Sequence, residues 1–433
     1  MNKSTSLFTR FLCAATTLVL VVLICTPAGA DEDRPPAESL GQNGALTLKA
    51  ARKRAAHRER RMIMNNDGND TRWPVEGEPR TRETFLDKRS TPLIGSHVDA
   101  IFYCTGCTFN LYRHHSQETE LLKSAGDKED WGWELGQDGP DVLETMIDFG
   151  HQHGIEVFWS MRMNDTHDAK PANAWCMSQW KKDRPQLLMG APGEEFAFGR
   201  ARWKGRWSAL NYAAPEVREK VLRILTDVAT RYDVDGLELD FFRHPVFFRP
   251  QMTGEPVTQE HCDMMTELLA RVRRMGDDVA AKRGRPLLIS VRVPDSIGFA
   301  KEIGLDVERW LAADLTDLLV AGGYFHLQPW ESTVAVGHRH HVPVYPCLSA
   351  SRLSSDRFNN LNVTRLAAWR GEAARAWKAG ADGIYVFNCF NPRDPIYREL
   401  GDPQLLGTLE QEYQVNAGRV DSWLKEGNRF IKH

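Results

Sequence analysis

The chain has 433 residues, of which 42% are hydrophobic and 9% aromatic, enough for a full-sized buried core and too apolar for a disordered segment. A formal net charge of -3 leaves no basic excess of the kind a nucleic-acid partner would ask for. The 13 Trp and 19 Phe are many for a protein that need only fold, and the crowding of Trp between Trp131 and Trp207 suggests an aromatic-lined cleft.

Residues 1–30 read as a signal peptide. Lys3 and Arg10 form a basic start, Phe11 to Cys25 an apolar run, and Ala28-Gly29-Ala30 a small-x-small cleavage site, so the expected cut falls after Ala30 and the expected location is secreted or periplasmic. Cys25 follows Ile24, where a lipoprotein signal wants a small residue, and no later run reaches the roughly 20 apolar residues of a membrane span. Residues 31–60 read as a flexible leader and then a basic helix over 46–61, packed on the N-terminal side of the main domain.

From residue 61 to about 400 the pattern alternates. Short apolar strands are expected at Met62–Met64, Val98–Tyr103, Ile155–Met161, Val234–Phe241, Leu287–Val293, Leu318–Tyr324, Val342–Leu348 and Gly383–Phe387. Helices are expected at 141–153, closed by Gly154, and at 215–230, 258–283, 307–313 and 364–380. Short strands interleaved with helices imply parallel pairing, and eight of them imply closure into a (β/α)8 TIM barrel, an α/β fold. Residues 401–433 are left as a C-terminal extension.

Polar residues gather after the strands: Asp67, Arg162 with Asp165, Asp240 with Arg243 and His244, Arg292 with Asp295, Tyr324 with His326, and Asn388. A packed core does not require that pattern, whereas a site on the C-terminal face does. Each could instead cap a helix or hold a turn. The stretch YDVDGLELDFFRHP at 232–245 is the densest: Glu238 and Asp240, two residues apart on one strand, face the same side. Charges on an apolar strand need a partner or an open end, and Arg243 is one partner near in sequence.

The connection after the third strand, 164–211, is unusually long and carries Trp175, Trp180, Trp203 and Trp207. It reads as a Trp-rich insertion that folds over the mouth and presents Trp203 and Trp207 as flat platforms for sugar rings; the alternative is a small packed subdomain with the same Trp as its core. Six cysteines remain after the signal. Cys104 and Cys107 could close a small disulfide, stay as thiols or contribute to a metal site, but one pair falls short of the four ligands of structural zinc. Cys347 and Cys389 read as buried small hydrophobes.

The signal peptide, the barrel and the stretch DGLELDFFRHP resemble the glycosyl-hydrolase-like barrels of secreted bacterial proteins, over roughly residues 60–400. The resemblance implies a (β/α)8 fold and action on a poly- or oligosaccharide, with Asp240 at the acidic position of the fourth strand. Family 18 chitinases read DGxDxDxE here; in that register their catalytic Glu falls on Phe242, so chitinase chemistry is not expected. Glycosidic cleavage generally needs two carboxyl groups. Asp240 is the expected base or nucleophile, with Glu238 as its orienter or the acid and Asp295 as a second candidate acid. Arg162, Arg243 and His244 would bind hydroxyl or acidic groups, joined by Asp67, Asp165, Tyr324, His326 and Asn388. No cofactor or metal is expected. Two rivals remain: a non-catalytic sugar-binding barrel, and a metal-dependent barrel hydrolase using His167 and His326.

Overall fold

A computed structural model describes residues 44–72, 74–126, 128–192, 194, 206–353, 365–413, 417–418 and 420–433. Eight parallel strands close into one barrel: β1 (Met62–Asn66), β2 (Val98–Tyr103), β3 (Glu156–Arg162), β4 (Gly236–Asp240), β5 (Leu288–Val293), β6 (Leu318–Ala321), β7 (Val344–Ser349) and β8 (Ile384–Phe387). Each strand pairs with the next, and β8 returns to β1 through Met62↔Ile384, Ile63↔Tyr385 and Met64↔Val386. After α1 (Gly44–Ala56), helices follow the strands in turn: α2 (Arg82–Arg89), α3 (Val142–Gln152), α4 (Pro215–Arg231), α5 (Gln259–Arg283), α6 (Val307–Ala312), α7 (Trp330–Arg339) and α8 (Arg365–Lys378). The (β/α)8 expectation is correct, and all eight strands fall where the apolar runs place them. β6 is shorter than expected because Gly322, just past its end, turns the chain at φ +94. α2 and α7 have no counterpart in the sequence reading; α2 is mostly polar and buries Phe85 alone, too faint a stripe to read.

The local causes are ordinary helix and strand chemistry. Asp141 caps α3 by accepting from the Leu143 and Glu144 amides. Thr258 opens α5, and Gly284 closes it at φ 73, a left-handed conformation that glycine adopts freely. Inside the barrel, Phe102 stacks on Phe158 at 4.4 Å, and β4 must start with glycine because a Cβ on Gly236 would lie 2.2 Å from the Phe158 ring. The barrel floor is thus aromatic, and polar residues occupy the levels above it.

α1 does pack at the N-terminal end, but its basic residues are more than a solvated face. Arg52, 5% exposed, bonds Asp314 and Asp317 in the loop before β6, and Arg60, beyond the helix, grips Glu156 at the start of β3. Among the described residues no helix is long and apolar enough to cross a membrane.

The β2–α3 connection holds an unanticipated small sheet, Gly106–Thr108, Leu111–Tyr112 and Glu120–Leu121, anchored by the fully buried pair Arg113–Asp130. The described part of the β3–α4 connection, residues 163–192 and 206–214, is packed. Met189 and Gly190 donate to the Ala209 and Trp207 carbonyls, and Lys181 is buried against Asp168. Trp207 is 8% exposed, donates its indole N–H to the Ala169 carbonyl and lies in the main core, so the platform expected of it is not offered to a ligand. Trp203 lies outside the described residues, as do residues 1–43 with their signal peptide and leader. Cys104 and Cys107 are free thiols; Cys107 packs with Cys176 and Trp175 instead.

The C-terminal extension touches both ends of the barrel. Gly401 lies against Arg61, Met62 and His97 at the N-terminal end. Gly418 bridges Phe325, the His326 amide donates to the Ala417 carbonyl, and the Lys432 amide donates to the Leu327 carbonyl, which ties residues 417, 418 and 432 to the loop after β6.

Candidate active site

Strand register builds the site. Ser160 of β3 and Ser290 of β5 flank Glu238 of β4, and one level higher Arg162 and Arg292 flank Asp240. Alternation sends all six to the barrel interior, in two polar rows stacked toward the C-terminal mouth. Arg292 clamps Asp240 through Nε to Oδ1 at 3.0 Å and Nη2 to Oδ2 at 2.5 Å, with its guanidinium 3.9 Å from the Phe387 ring centre. Asp240 Oδ1 also accepts the Phe242 and Arg243 amides at 2.9 and 3.0 Å. Its partner is therefore Arg292, not the Arg243 that sequence proximity suggests. Asp240 is 2% exposed.

Glu238, in the lower row, is fully buried. Ser160 donates to Oε2, the Tyr385 hydroxyl donates to the same oxygen at 3.1 Å, and among the described residues Oε1 has no hydrogen-bond partner. Burial pushes its carboxyl up to about 7, with Asp240's charge adding to the shift and Arg292 opposing it. A carboxyl with no exposed surface cannot touch a glycosidic oxygen, so its place suits an orienting role better than that of the acid.

At the end of β3, Asp165 is buried and shared. Arg162 reaches Oδ2 at 3.0 Å, while the His167 amide and Nδ1–H reach Oδ1 at 2.9 and 2.6 Å. Burial alone would raise Asp165; the bonded His167 and Arg162 bring it well below the usual carboxylate range. Asp67, after β1, accepts from Arg89 at 2.5 Å and from Asn69 at 2.7 Å, and it too is lowered against the effect of burial, by Arg89, Arg162 and Arg243. Arg243 reaches Asn388 Oδ1 at 3.4 Å and lies 5.9 Å from the Tyr324 ring centre. Asn388 follows β8 at φ 58, a left-handed backbone that asparagine tolerates. Its amide nitrogen donates to Ser351. Asp67, Arg162, Asp165, Asp240, Arg243, His244, Tyr324 and Asn388 thus converge on the mouth.

Two expected members do not join them. Asp295 Oδ2 accepts from His326 Nδ1 at 2.7 Å and from the Leu327 and Gln328 amides, which ties down the loop after β6. His326 is 1% exposed and stacks on Trp330 at 3.9 Å. Asp295 is a loop anchor and His326 a core histidine, not a second acid and a sugar contact.

Asp165, His167 and His244 are the one group of three described residues whose donor atoms lie within 4.8 Å of one another. They do not suit a metal. Both oxygens of Asp165 are already taken, Oδ1 by the His167 amide and ring and Oδ2 by Arg162. Arg162 and Arg243, 3.0 and 4.0 Å from the same carboxylate, would repel a cation. Burial holds His244 well below the usual imidazole range.

Sequence reasoning missed Arg292 as Asp240's partner, and it missed Trp423. Arg292 had a signal: a charged residue at an inward position of an apolar strand needs a counter-charge on a neighbour. Trp423 had none. It stacks on Tyr324 at 6.2 Å with 12° between the planes, and the Arg206 guanidinium covers it at 3.9 Å.

Residues 118–262, which carry β3, β4 and the connection between them, match the family model described as Glycosyl hydrolase-like 10. No curated protein matches the chain. Similar solved structures include the glycoside hydrolase domain of PgaB (BpsB) from Bordetella bronchiseptica, at 10% identity and TM-score 0.49 over 80% of this chain and 99% of that one. Another is alpha-L-fucosidase isoenzyme 2 from Paenibacillus thiaminolyticus, at 13% identity and TM-score 0.47 over 82% of this chain; the chain spans about half of that one, 49%. A third is a glycoside hydrolase family 18 N-acetylglucosaminidase from Paenibacillus barengoltzii, at 11% identity and TM-score 0.41 over 81% of this chain and 99% of that one.

Proposed function

We propose that this glycosyl hydrolase-like barrel is an active glycoside hydrolase that cleaves a poly- or oligosaccharide at its C-terminal mouth. The observation that carries the reading is the Asp240 carboxylate, fixed at the tip of β4 by Arg292 and two backbone amides within the segment that matches the family model. A carboxylate so placed is held ready beneath the mouth and meets the positive charge that develops at an anomeric carbon once Arg292 yields Oδ2. Asp240 is the base or nucleophile in this reading, oriented by Arg292 and the Phe242 and Arg243 amides. The second proton-transfer group is His167: Asp165 fixes its tautomer, and its side chain, 36% exposed, is more open than any carboxylate of the mouth. Tyr324, backed by the buried Trp423, forms the aromatic wall, with Arg162, Arg243 and Asn388 as polar contacts.

The full engagement of Asp240 favours one second reading, a barrel that binds sugar without cleaving it. Release of reducing ends from a broad polysaccharide panel, measured for the parent and for His167→Gln, separates the two. Release by the parent that falls in the variant supports the hydrolase, whereas saccharide binding with no release from any member of the panel leaves the binding barrel. Export with cleavage after Ala30 is part of the proposal, and N-terminal sequencing of protein recovered outside the cytoplasm checks it; a start at Met1 would overturn that part.

A further inference from the structure

Each carboxylate of the mouth already has a cation. Asp240 is clamped by Arg292, Asp67 by Arg89, and Asp165 by Arg162 with His167. Arg243 is left over. It is only 9% exposed, yet among the described residues its Nε has no hydrogen-bond partner, its one side-chain bond is the 3.4 Å contact from Nη1 to Asn388, and its nearest carboxylate, Asp165, is 4.0 Å away. Aromatic rings surround it: Tyr324 at 5.9 Å and Phe387 at 5.6 Å, with Trp423 stacked on Tyr324.

A guanidinium withdrawn from water with a donor unanswered carries an uncompensated desolvation cost. An oxyanion arriving from outside removes that cost, and a planar carboxylate matches the paired N–H groups of arginine better than a hydroxyl does. The neighbouring rings suit the apolar face of a pyranose. Arg243 also follows Asp240 by three residues, so it stands beside the reacting carboxylate rather than at a remote surface.

We propose that Arg243 receives the carboxylate of an acidic sugar, so that the mouth selects a carboxylate-bearing saccharide over its neutral counterpart. The inference rests on the reading of this mouth as a saccharide site and adds the class of sugar. His244 does not compete for the anion, being held neutral by burial with its Nδ1 engaged by Thr166. Arg162 lies close enough to add long-range attraction but keeps its bond to Asp165.

The test uses the full chain and matched oligosaccharide pairs: uronic-acid oligomers, the same oligomers with each carboxyl reduced to a primary alcohol, and a sulfated set. Binding is read by calorimetry, so that turnover is not needed. The parent should bind a uronate at least about tenfold more tightly than its reduced counterpart, in line with one charge-assisted bidentate contact. Arg243→Met should abolish that preference, and Arg243→Lys, which keeps the charge but not the planar fork, should retain part of it. Circular dichroism on both variants confirms that the barrel is intact. Equal affinity for acidic and reduced oligomers, or a preference that survives in Arg243→Met, overturns the inference while the saccharide reading stands. Tighter binding of the sulfated set overturns the carboxylate assignment. Failure to bind any of the three sets overturns this inference, and failure on the broad panel as well removes the saccharide reading itself.

Discussion

Arg292 reaches across from β5 to hold both oxygens of Asp240, the last residue of β4. Both groups are almost wholly buried, and removing one partner of such a pair typically costs about 3 to 5 kcal/mol because the other charge is stranded. Asp240→Asn should therefore lower the melting temperature whatever Asp240 does chemically, and turnover has to be read on the folded fraction. Asp240→Asn combined with Arg292→Met removes the stranded charge and should regain most of the lost stability. If Asp240 acts in chemistry, kcat of the double variant stays on the order of a thousandfold or more below the parent. A double variant that turns over like the parent would leave ion pairing as Asp240's whole role.

Glu238 makes stability depend on pH. Its carboxyl moves from an ordinary value of 4.5 to about 7 in the fold, so the folded chain binds the proton more tightly than the unfolded one. The contribution is fully present below about 4.5 and lost as pH rises through about 7, amounting to at most roughly 3 kcal/mol. His114 works in the opposite direction: burial depresses it from 6.5 to about 4, so its contribution is lost as pH falls through that range. The informative quantity is thus the difference between parent and Glu238→Gln in denaturant titrations at about pH 5 and pH 8, on either side of the Glu238 transition. That difference should shift toward the variant at the higher pH, and a difference that does not change would show that Glu238 carries no raised titration.

Trp207 separates core from platform. At 8% exposure, with its N–H on the Ala169 carbonyl, Trp207→Ala should cost about 3 to 5 kcal/mol and leave saccharide affinity per folded molecule unchanged. Tyr324→Ala should weaken saccharide binding, since it removes the partly exposed ring that stands beside Arg243 at the mouth. Weaker binding from Trp207→Ala without loss of stability would restore the platform.

Gly236→Ala should be disproportionately harmful for one methyl group. The new Cβ meets the Phe158 ring at 2.2 Å and the Leu288 carbonyl oxygen at 2.7 Å, and overpacking of this kind costs about 1 to 3 kcal/mol or more. Phe158→Leu in the same chain should recover part of the loss in melting temperature. Full tolerance of the alanine would mean that β4 shifts easily against β3.

The barrel was legible because its signals are local. Runs such as Leu318–Ala321 and Val342–Leu348 are apolar on both faces, which suits strands covered inside and out, and Gly154, Pro215 and Gly284 mark helix ends wherever the chain later packs. Asp240, Arg243 and Asn388 were legible as mouth residues for the same reason, by following strands. What sequence could not give was pairing across space. Asp240 and Arg292 are 52 residues apart, and only strand register aligns them. Asp295 looked like an acid for the mouth because it follows β5, but a carboxylate there can turn outward onto a loop as easily as inward. Trp207 sat in a Trp-rich stretch whose packed and open forms share one composition, and Trp423 lay beyond any pattern that ties it to the mouth.

The closing pair β1 and β8 has a consequence for how the chain is made. Met62 and Ile384 are neighbours in the barrel, yet the ribosome adds one long after the other; at about 5 to 20 residues per second the interval is tens of seconds. Throughout that time β1 has an open edge, and every later strand in turn is the growing edge of an unfinished sheet. A chain stopped before residue 384 would keep both edges unpaired and the interior carboxylates and guanidiniums of the upper rows open to water. Fragments that end there should aggregate or be degraded rather than bind sugar weakly, and production of the protein should respond to conditions that guard nascent chains.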